Sequence, residues 1–221
     1  MHTLSDIEQA TGQVFPPLYR QLDAEDRLGF GGPHPEWFKV VFPALQAAPP
    51  VLLYAYDYEP IARERLHEAW SDLTAADHYN PLRADMQLLP FAETGAGDVY
   101  CFWTNAPGFA EPPVLLVWHD DDRADLLAAN YQDFLFRKMV ESVLDLEDSL
   151  LDDGALADNL QRWLDTHRAW LRADQVQALE TWFGQTEAIA NGELHEDQAD
   201  ALIREVIGFE RINERIPYVQ A

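Results

Sequence analysis

The sequence predicts an α+β fold, a twisted and mostly antiparallel sheet with flanking helices, followed by an all-helical C-terminal region. Three observations point there. Between residues 86 and 122 the runs MQLLPFAE, DVYCFWTN and PPVLLVWHDDD are separated by the Gly- and Pro-rich turns TGAG and APGFAEPP, the spacing of an antiparallel meander. The segments on either side place apolar residues at helical intervals. From about residue 140 onward only helical periodicity remains.

Taken in order, the first helix is expected from SDIE, where Ser5 and Glu8 have the spacing of a capping box, with a stop near Gly12. Pro17 suits the first position of a second helix carrying Leu18, Tyr19 and Leu22. LGFGGPHPEW is too rich in Gly and Pro to be anything but a loop. PPVLLYAYDY (49–58) alternates aromatic and small residues and reads as a strand. PIARERLHEAWSDL (60–73) reads as an amphipathic helix with Ile61, Leu66, Trp70 and Leu73 on one face. After the three meander strands, DRADLLAANYQDFLFRKMV reads as a helix. Four helical stretches follow: ESVLDLEDSLLDDG, ALADNLQRWLDTHRAWL, ADQVQALETWFGQTEAIANG and HEDQADALIREVIGFERI. Gly154 and Gly192 stand where helices end, and Asp174 and His195 or Glu196 where the later ones begin. Trp163, Trp170 and Trp182 fall on helical stripes and are expected in the core.

Composition narrows the function. The chain has 221 residues, 48% of them hydrophobic, with 39 acidic against 15 basic residues and a formal net charge of −24. Phosphate backbones and anionic membranes are bound by clustered Lys and Arg, so nucleic-acid and membrane partners are not expected. A basic protein partner is favoured instead, and its encounter would be accelerated. The competing reading is that acidity serves solubility alone. The single cysteine, Cys101, allows no intrachain disulfide and no thiolate-rich zinc site, and its apolar strand suggests a core position. The opening MHTLSDIEQA lacks the basic and apolar regions of a secretory signal, so a cytoplasmic location is expected.

Few motifs carry chemistry. In GAGDVYCFW no Lys follows the glycines and the next element is β-like, unlike a P-loop. The third Gly of a dinucleotide loop is missing, and Glu93 and Asp98 are too few for a calcium loop. A hairpin corner remains, with Gly95 and Gly97 supplying positive φ. WHDDDRAD (118–125) could hold a divalent metal, but Asp ahead of a helix is more often a cap, and this turn reads as a solvated one. Asp57 and Glu59 share a strand face and could act as an acid–base pair, yet read as strand-end polar residues. His-Glu-x-x-His and Gly-x-Ser-x-Gly are absent. No catalytic residue, metal site or cofactor is assigned.

Three stretches, taken together, resemble one family. IEQATGQVFPPLYRQLDAEDRLGFGG supplies Glu8, Gly12, Pro16, Tyr19 and Gly31–Gly32. LLPFAETGAGDVYCFW supplies Pro90, Phe91, Ala92, Gly97, Asp98 and Tyr100. PPVLLVWHDDDRADLLAANYQDFL supplies Val114, His119, Asp120, Tyr131, Phe134 and Leu135. In order and spacing they resemble the SMI1/KNR4, or SUKH, superfamily over roughly residues 4 to 137. Residues 33–87 align poorly with that pattern, TN stands where an aspartate is usual, and the helical tail has no counterpart. The resemblance implies a SUKH-like domain over 1–137 with a helical extension over 138–221. It also implies a binding role without catalysis. Many bacterial members are immunity proteins that neutralise a toxin delivered by contact-dependent or type VI secretion, and fungal members are signalling and cell-wall regulators. Joined to the acidity, this suggests a protein that occludes a cognate basic toxin stoichiometrically. The expected partner-binding residues are Asp57, Glu93, Asp98, Glu111, Asp120, Asp121 and Asp122, at hairpin turns and strand ends. A scaffold or regulatory protein that uses the helical tail for self-association, as a homodimer for example, or for partner docking is the alternative.

Overall fold

The computed structural model describes residues 3–32, 34–146, 150 and 155–220. The chain forms two compact units interleaved in sequence. The first comprises Met1–Asp26, Asp57–Tyr131 and Arg211–Ala221, and the second Arg27–Tyr56 and Gln132–Glu210.

The first unit is built on a six-stranded antiparallel sheet whose spatial order follows the chain. Its strands are β1 (Glu59–Pro60), β2 (Leu88–Glu93), β3 (Val99–Trp103), β4 (Val114–Val117), β5 (Arg123–Ala128) and β6 (Glu214–Pro217). Helices α1 (Leu4–Thr11), α2 (Pro17–Ala24) and α5 (Leu66–Leu73) accompany it. The α+β expectation and the meander are met. Both edge strands are short and carry a proline, which leaves little free backbone for another chain to pair with. Pro90, in an inner strand, sits at a register shift between Pro90 and Ala92, where its missing N–H is tolerated. The bulge brings Phe91 onto Phe102, ring centroids 4.3 Å apart. Phe15, Tyr19 and Tyr131 complete this aromatic core. Cys101 is buried, and as the strand neighbour of Phe102 it faces the other side of the sheet, where burial pushes its thiol well above the ordinary range.

Several local expectations are corrected. The first helix is capped two residues earlier than expected, by the reciprocal pair Thr3 and Asp6. Glu8 instead accepts from Phe15 N at 3.1 Å. Gly12 ends the helix in the left-handed region and Pro17 opens the next, as expected. Of the expected 60–73 helix, Pro60 lies in β1, Arg63–Arg65 form a 3₁₀ turn and only Leu66–Leu73 are α-helical. RADLLA is a strand, not the start of a helix. Its neighbours decide this, since β4 pairs with it on one side and β6 on the other. The helix α6 begins only at Tyr131 and runs to Glu141. The tail also contains a strand, β6, in which Arg215 lies opposite Asp125.

The second unit contains α3 (Trp37–Val40), α4 (Phe42–Ala47), α6 beyond its first residue, α7 (Leu156–His167), a 3₁₀ turn (Arg168–Trp170), α8 (Ala173–Phe183), α9 (Thr186–Ala190) and α10 (Glu196–Ile207). Trp163, Trp170 and Trp182 are all buried in it, as their stripes predict. Asp133 of α6 is buried and accepts from Arg172 and from Gln175, the latter at 2.7 Å. Arg172 also donates to Val206 O at 3.1 Å, which ties α6, α8 and α10 together. The first expected tail helix and its Gly154 stop lie largely outside the described residues.

Residues 49–58 are not a strand. Leu52 adopts φ +59°, a conformation that breaks any extended run. The Leu52 N–H donates to Nε2 of buried His167 at 3.1 Å, and the Tyr56 N–H to Ser142 Oγ at 3.1 Å. Side chains from distant helices thus take the backbone groups that a neighbouring strand would have used. The three tyrosines share no sheet face: Tyr54 and Tyr58 are buried and Tyr56 is exposed.

Candidate functional site

Register places two turns at one end of the sheet. Val99 lies opposite Val117, so the β2–β3 turn (94–98) and the β4–β5 turn (118–122) are neighbours. The first turn is tight. Thr94 N donates to Asp98 O at 2.8 Å and Gly97 N to Thr94 O at 3.1 Å. Gly97 takes φ +94°, as a corner requires, whereas Gly95 does not need positive φ.

Asp98 links the two turns. It is only 3% exposed. Its Oδ2 accepts from Thr94 Oγ1 at 3.2 Å, and its Oδ1 accepts from His119 N at 3.0 Å and lies 2.7 Å from His119 Nδ1. An ionised carboxylate only accepts, so Nδ1 carries the proton toward Asp98. The Asp98 hydrogen bond, with smaller attractions from Asp98 and Asp120, raises the His119 pKa above its ordinary value. Asp98 therefore fastens the turns from inside.

Asp98, His119 and Asp120 present ligand-type atoms within 4.8 Å of one another. Two of the three are already committed to each other, and Nδ1 faces Asp98. Among the described residues no Ser, Thr or Cys side chain hydrogen-bonds the other ring nitrogen of His119. In this arrangement Asp98 takes the Nδ1 side of His119, and the Nε2 side is the one left facing away from it.

The remaining acidic residues divide sharply. Asp57, at φ +50°, is exposed and caps the first turn through its Oδ1, which accepts from Gly95 N at 2.8 Å. Tyr100 OH donates to Asp57 O at 3.0 Å and holds it there. Glu93 is half-buried and pairs with Arg65 at 3.3 Å. Asp120 and Asp122 are exposed, Asp122 with Arg123 3.9 Å away. Asp121 pairs with Arg215, which holds its carboxyl below the usual range, and accepts from Arg123 N at 3.0 Å. These aspartates follow a strand and precede another, so the helix-cap reading of them is corrected. Glu111 is exposed but lies in the β3–β4 connection, at the opposite end of the strands. There it borders a groove of about 670 Å³ with Gln13, Arg20 and Thr104.

The residues that fix the second turn carry no signal as short motifs. Tyr218 is buried, its OH lies 2.8 Å from Trp118 O and 3.0 Å from Asp121 O, and its N–H donates to Asp122 O at 3.1 Å. Asn80 Nδ2 donates to Asp121 O at 3.1 Å. The only hint is the alternation of Arg215, Ile216, Pro217 and Tyr218, with Ile216 and Tyr218 buried.

The first unit thus joins a sheet in chain order to a Gly-Asp corner hydrogen-bonded to a His after β4. The model of the SMI1 / KNR4 family (SUKH-1) matches residues 2–137. The chain belongs to that family. Comparison with curated proteins and with solved structures gives no match. The matched span stops inside α6, and so excludes β6 although β6 completes the same sheet. Among the described residues no helix is long and apolar enough to cross a membrane.

Proposed function

We propose that this chain is a non-enzymatic binding protein of the immunity type, which neutralises a cognate secreted toxin by covering its cationic cleft with an acidic surface. The observation that carries the reading is the set of exposed carboxylates Asp57, Asp120 and Asp122 at one end of the sheet, on a chain of net charge −24. The backbone beneath them is held by Asp98, His119, Asn80 and Tyr218, so little ordering is left to be done on binding. Such a surface accelerates encounter with a basic partner and disfavours acidic ones. Asp121 and Glu93 contribute less charge, because Arg215 and Arg65 offset them.

The test is capture of the tagged protein's partner from its host's lysate at low and high salt. A basic protein at near-equal stoichiometry, released by salt, is expected. Reversing Asp120, Asp121 and Asp122 to Lys should then slow association and weaken its salt dependence. Unchanged binding of the triple variant would remove this surface from the proposal, and a salt-insensitive partner would remove the electrostatic mechanism.

A second reading, a scaffold or regulatory protein that forms homodimers, draws on a different observation. In the second unit Phe38 is 76% exposed beside Val40, which is also exposed. A concentration-dependent dimer by light scattering, lost in Phe38→Glu, would favour it. A monomer throughout would set it aside.

A further inference from the structure

Helices α3 and α4 depart from the rest of the second unit. Their sequences, WFKV and FPALQA, are mostly apolar, yet neither helix buries a single residue. Phe38 is 76% exposed and Val40 55%, and Trp37 and Phe42 are half-buried. Apolar residues scattered singly over a surface need no explanation, but a contiguous group of them marks a docking site. Helices this short have no stability of their own, so packing must hold them. The Trp37 indole N–H donates to Phe30 O at 3.1 Å. Gly31, at φ +75°, lies so close to Val41 that a Cβ there would meet its Cγ1 at 2.5 Å. Phe42 meets buried Tyr54 edge-on at 6.5 Å. The platform is therefore ordered while its outer face is uncovered, and little freedom is lost when something docks on it.

Charge singles out the same stretch. Between Arg27 and Asp57 the only formally charged residues are Glu36 and Lys39, which cancel, in a chain of net charge −24. Two copies of such a chain repel one another over most of their surfaces, and like charges brought together across an interface are costly. Contact through this stretch brings no net charge into the interface. The two charges also suit a two-fold axis. They stand three residues apart on either side of Phe38, both are exposed, and Glu36 Oε1 lies 3.0 Å from Lys39 Nζ. In a two-fold contact residue i of one copy meets residue j of the other, and j meets i. Two α3 helices opposed in antiparallel fashion therefore set each Glu36 against Lys39 of the second copy, with Phe38 near the axis. A strongly basic or acidic partner gains nothing from a neutral platform, whereas a second copy gains both pairs.

We propose that α3 and α4 form a two-fold interface with a second copy of this chain, Phe38 and Val40 supplying its apolar centre and Glu36 pairing with Lys39 across the axis. The inference rests on the homodimer reading above and gives it a surface and a symmetry. The interface lies on α3 and α4 rather than in the helical tail. Its apolar area is small beside that of a permanent dimer, so association is reversible and depends on concentration.

The experiment is sedimentation velocity of the full chain over a concentration series, at about 0.05 M and about 0.5 M NaCl. A reversible monomer–dimer equilibrium is expected. It should tighten as salt rises, because screening relieves the repulsion between two acidic chains. A basic partner at the acidic end of the sheet should respond to salt in the opposite sense. Phe38→Glu, at an exposed position, should weaken the dimer about a hundredfold or more. Glu36→Lys or Lys39→Glu alone should weaken it about tenfold, the worth of two exposed ion pairs. The double variant Glu36→Lys/Lys39→Glu should return to within about threefold of the wild type. A dimer that survives Phe38→Glu, one that salt loosens, or a double variant no tighter than the single ones would overturn this interface and leave the homodimer reading standing. A monomer at every concentration and salt would overturn both.

Discussion

Acid should weaken the second unit through one residue, His167. Its ring is fully buried, Nε2 accepting from Leu52 N and Nδ1 lying 3.0 Å from Trp163 O. Burial chiefly, with Arg27 adding to it, lowers its pKa from 6.5 to about 4. A histidine that stays neutral when folded binds fewer protons than the same histidine unfolded. Stability is therefore complete above pH 6.5 and falls as the pH drops through the window from 6.5 to 4. With 1.36 kcal/mol for each pKa unit, the loss across that window is about 3 kcal/mol. Protonation would also turn the Leu52 acceptor into a donor, leaving a left-handed leucine without its anchor. Carboxylates titrate in the same range, so the comparison must isolate the histidine. His167→Gln offers an acceptor near Nε2 and does not titrate, and Trp163 O retains a hydrogen bond from Thr166 Oγ1. Urea unfolding of both proteins at pH 7 and pH 4.5 should show the wild type losing about 2–3 kcal/mol more than the variant. Parallel losses would refute the reasoning.

Three further outcomes are expected. Asp98→Asn should lower the His119 pKa, read by NMR, toward its ordinary value. The stability from this pair is present at low pH and lost as pH rises through the raised pKa, so the variant's deficit should shrink at alkaline pH. Tyr218→Phe should cost about 1–2 kcal/mol in denaturant unfolding, and should speed amide exchange in the 118–122 turn. The fragment 1–137 lacks β6 and Tyr218, and should unfold at lower denaturant than the full chain by tryptophan fluorescence. Equal midpoints would show that the strand adds nothing.

What the sequence makes legible follows how local the cause is. Gly12, Pro17 and Gly192 punctuate the chain through their own backbone preferences, and the structure places them accordingly. The meander is also readable, because its strands are joined by turns of recognisable chemistry. The errors arise where partners are remote. The alternation in 49–58 imitates a strand, but His167 claims the Leu52 N–H and Ser142 the Tyr56 N–H. RADLLA has good helix formers and is a strand because β4 and β6 flank it. In the candidate site, acidic residues at turns are visible in the sequence. That Asp98 faces inward, or that Arg215 offsets Asp121, is not, since each depends on a residue far along the chain.

The sixth strand has a consequence for how the protein is made. β5 and β6 are neighbours in the sheet, yet the whole of segment 132–210 is synthesised between them. A nascent chain that has already formed β1–β5 must keep the outer edge of β5 unpaired on the ribosome while the second unit emerges. For that interval the edge is open to other chains, and the 118–122 turn lacks Tyr218 and Arg215. The acidic end of the sheet therefore takes its final form late in synthesis, once residues 214–218 have been made.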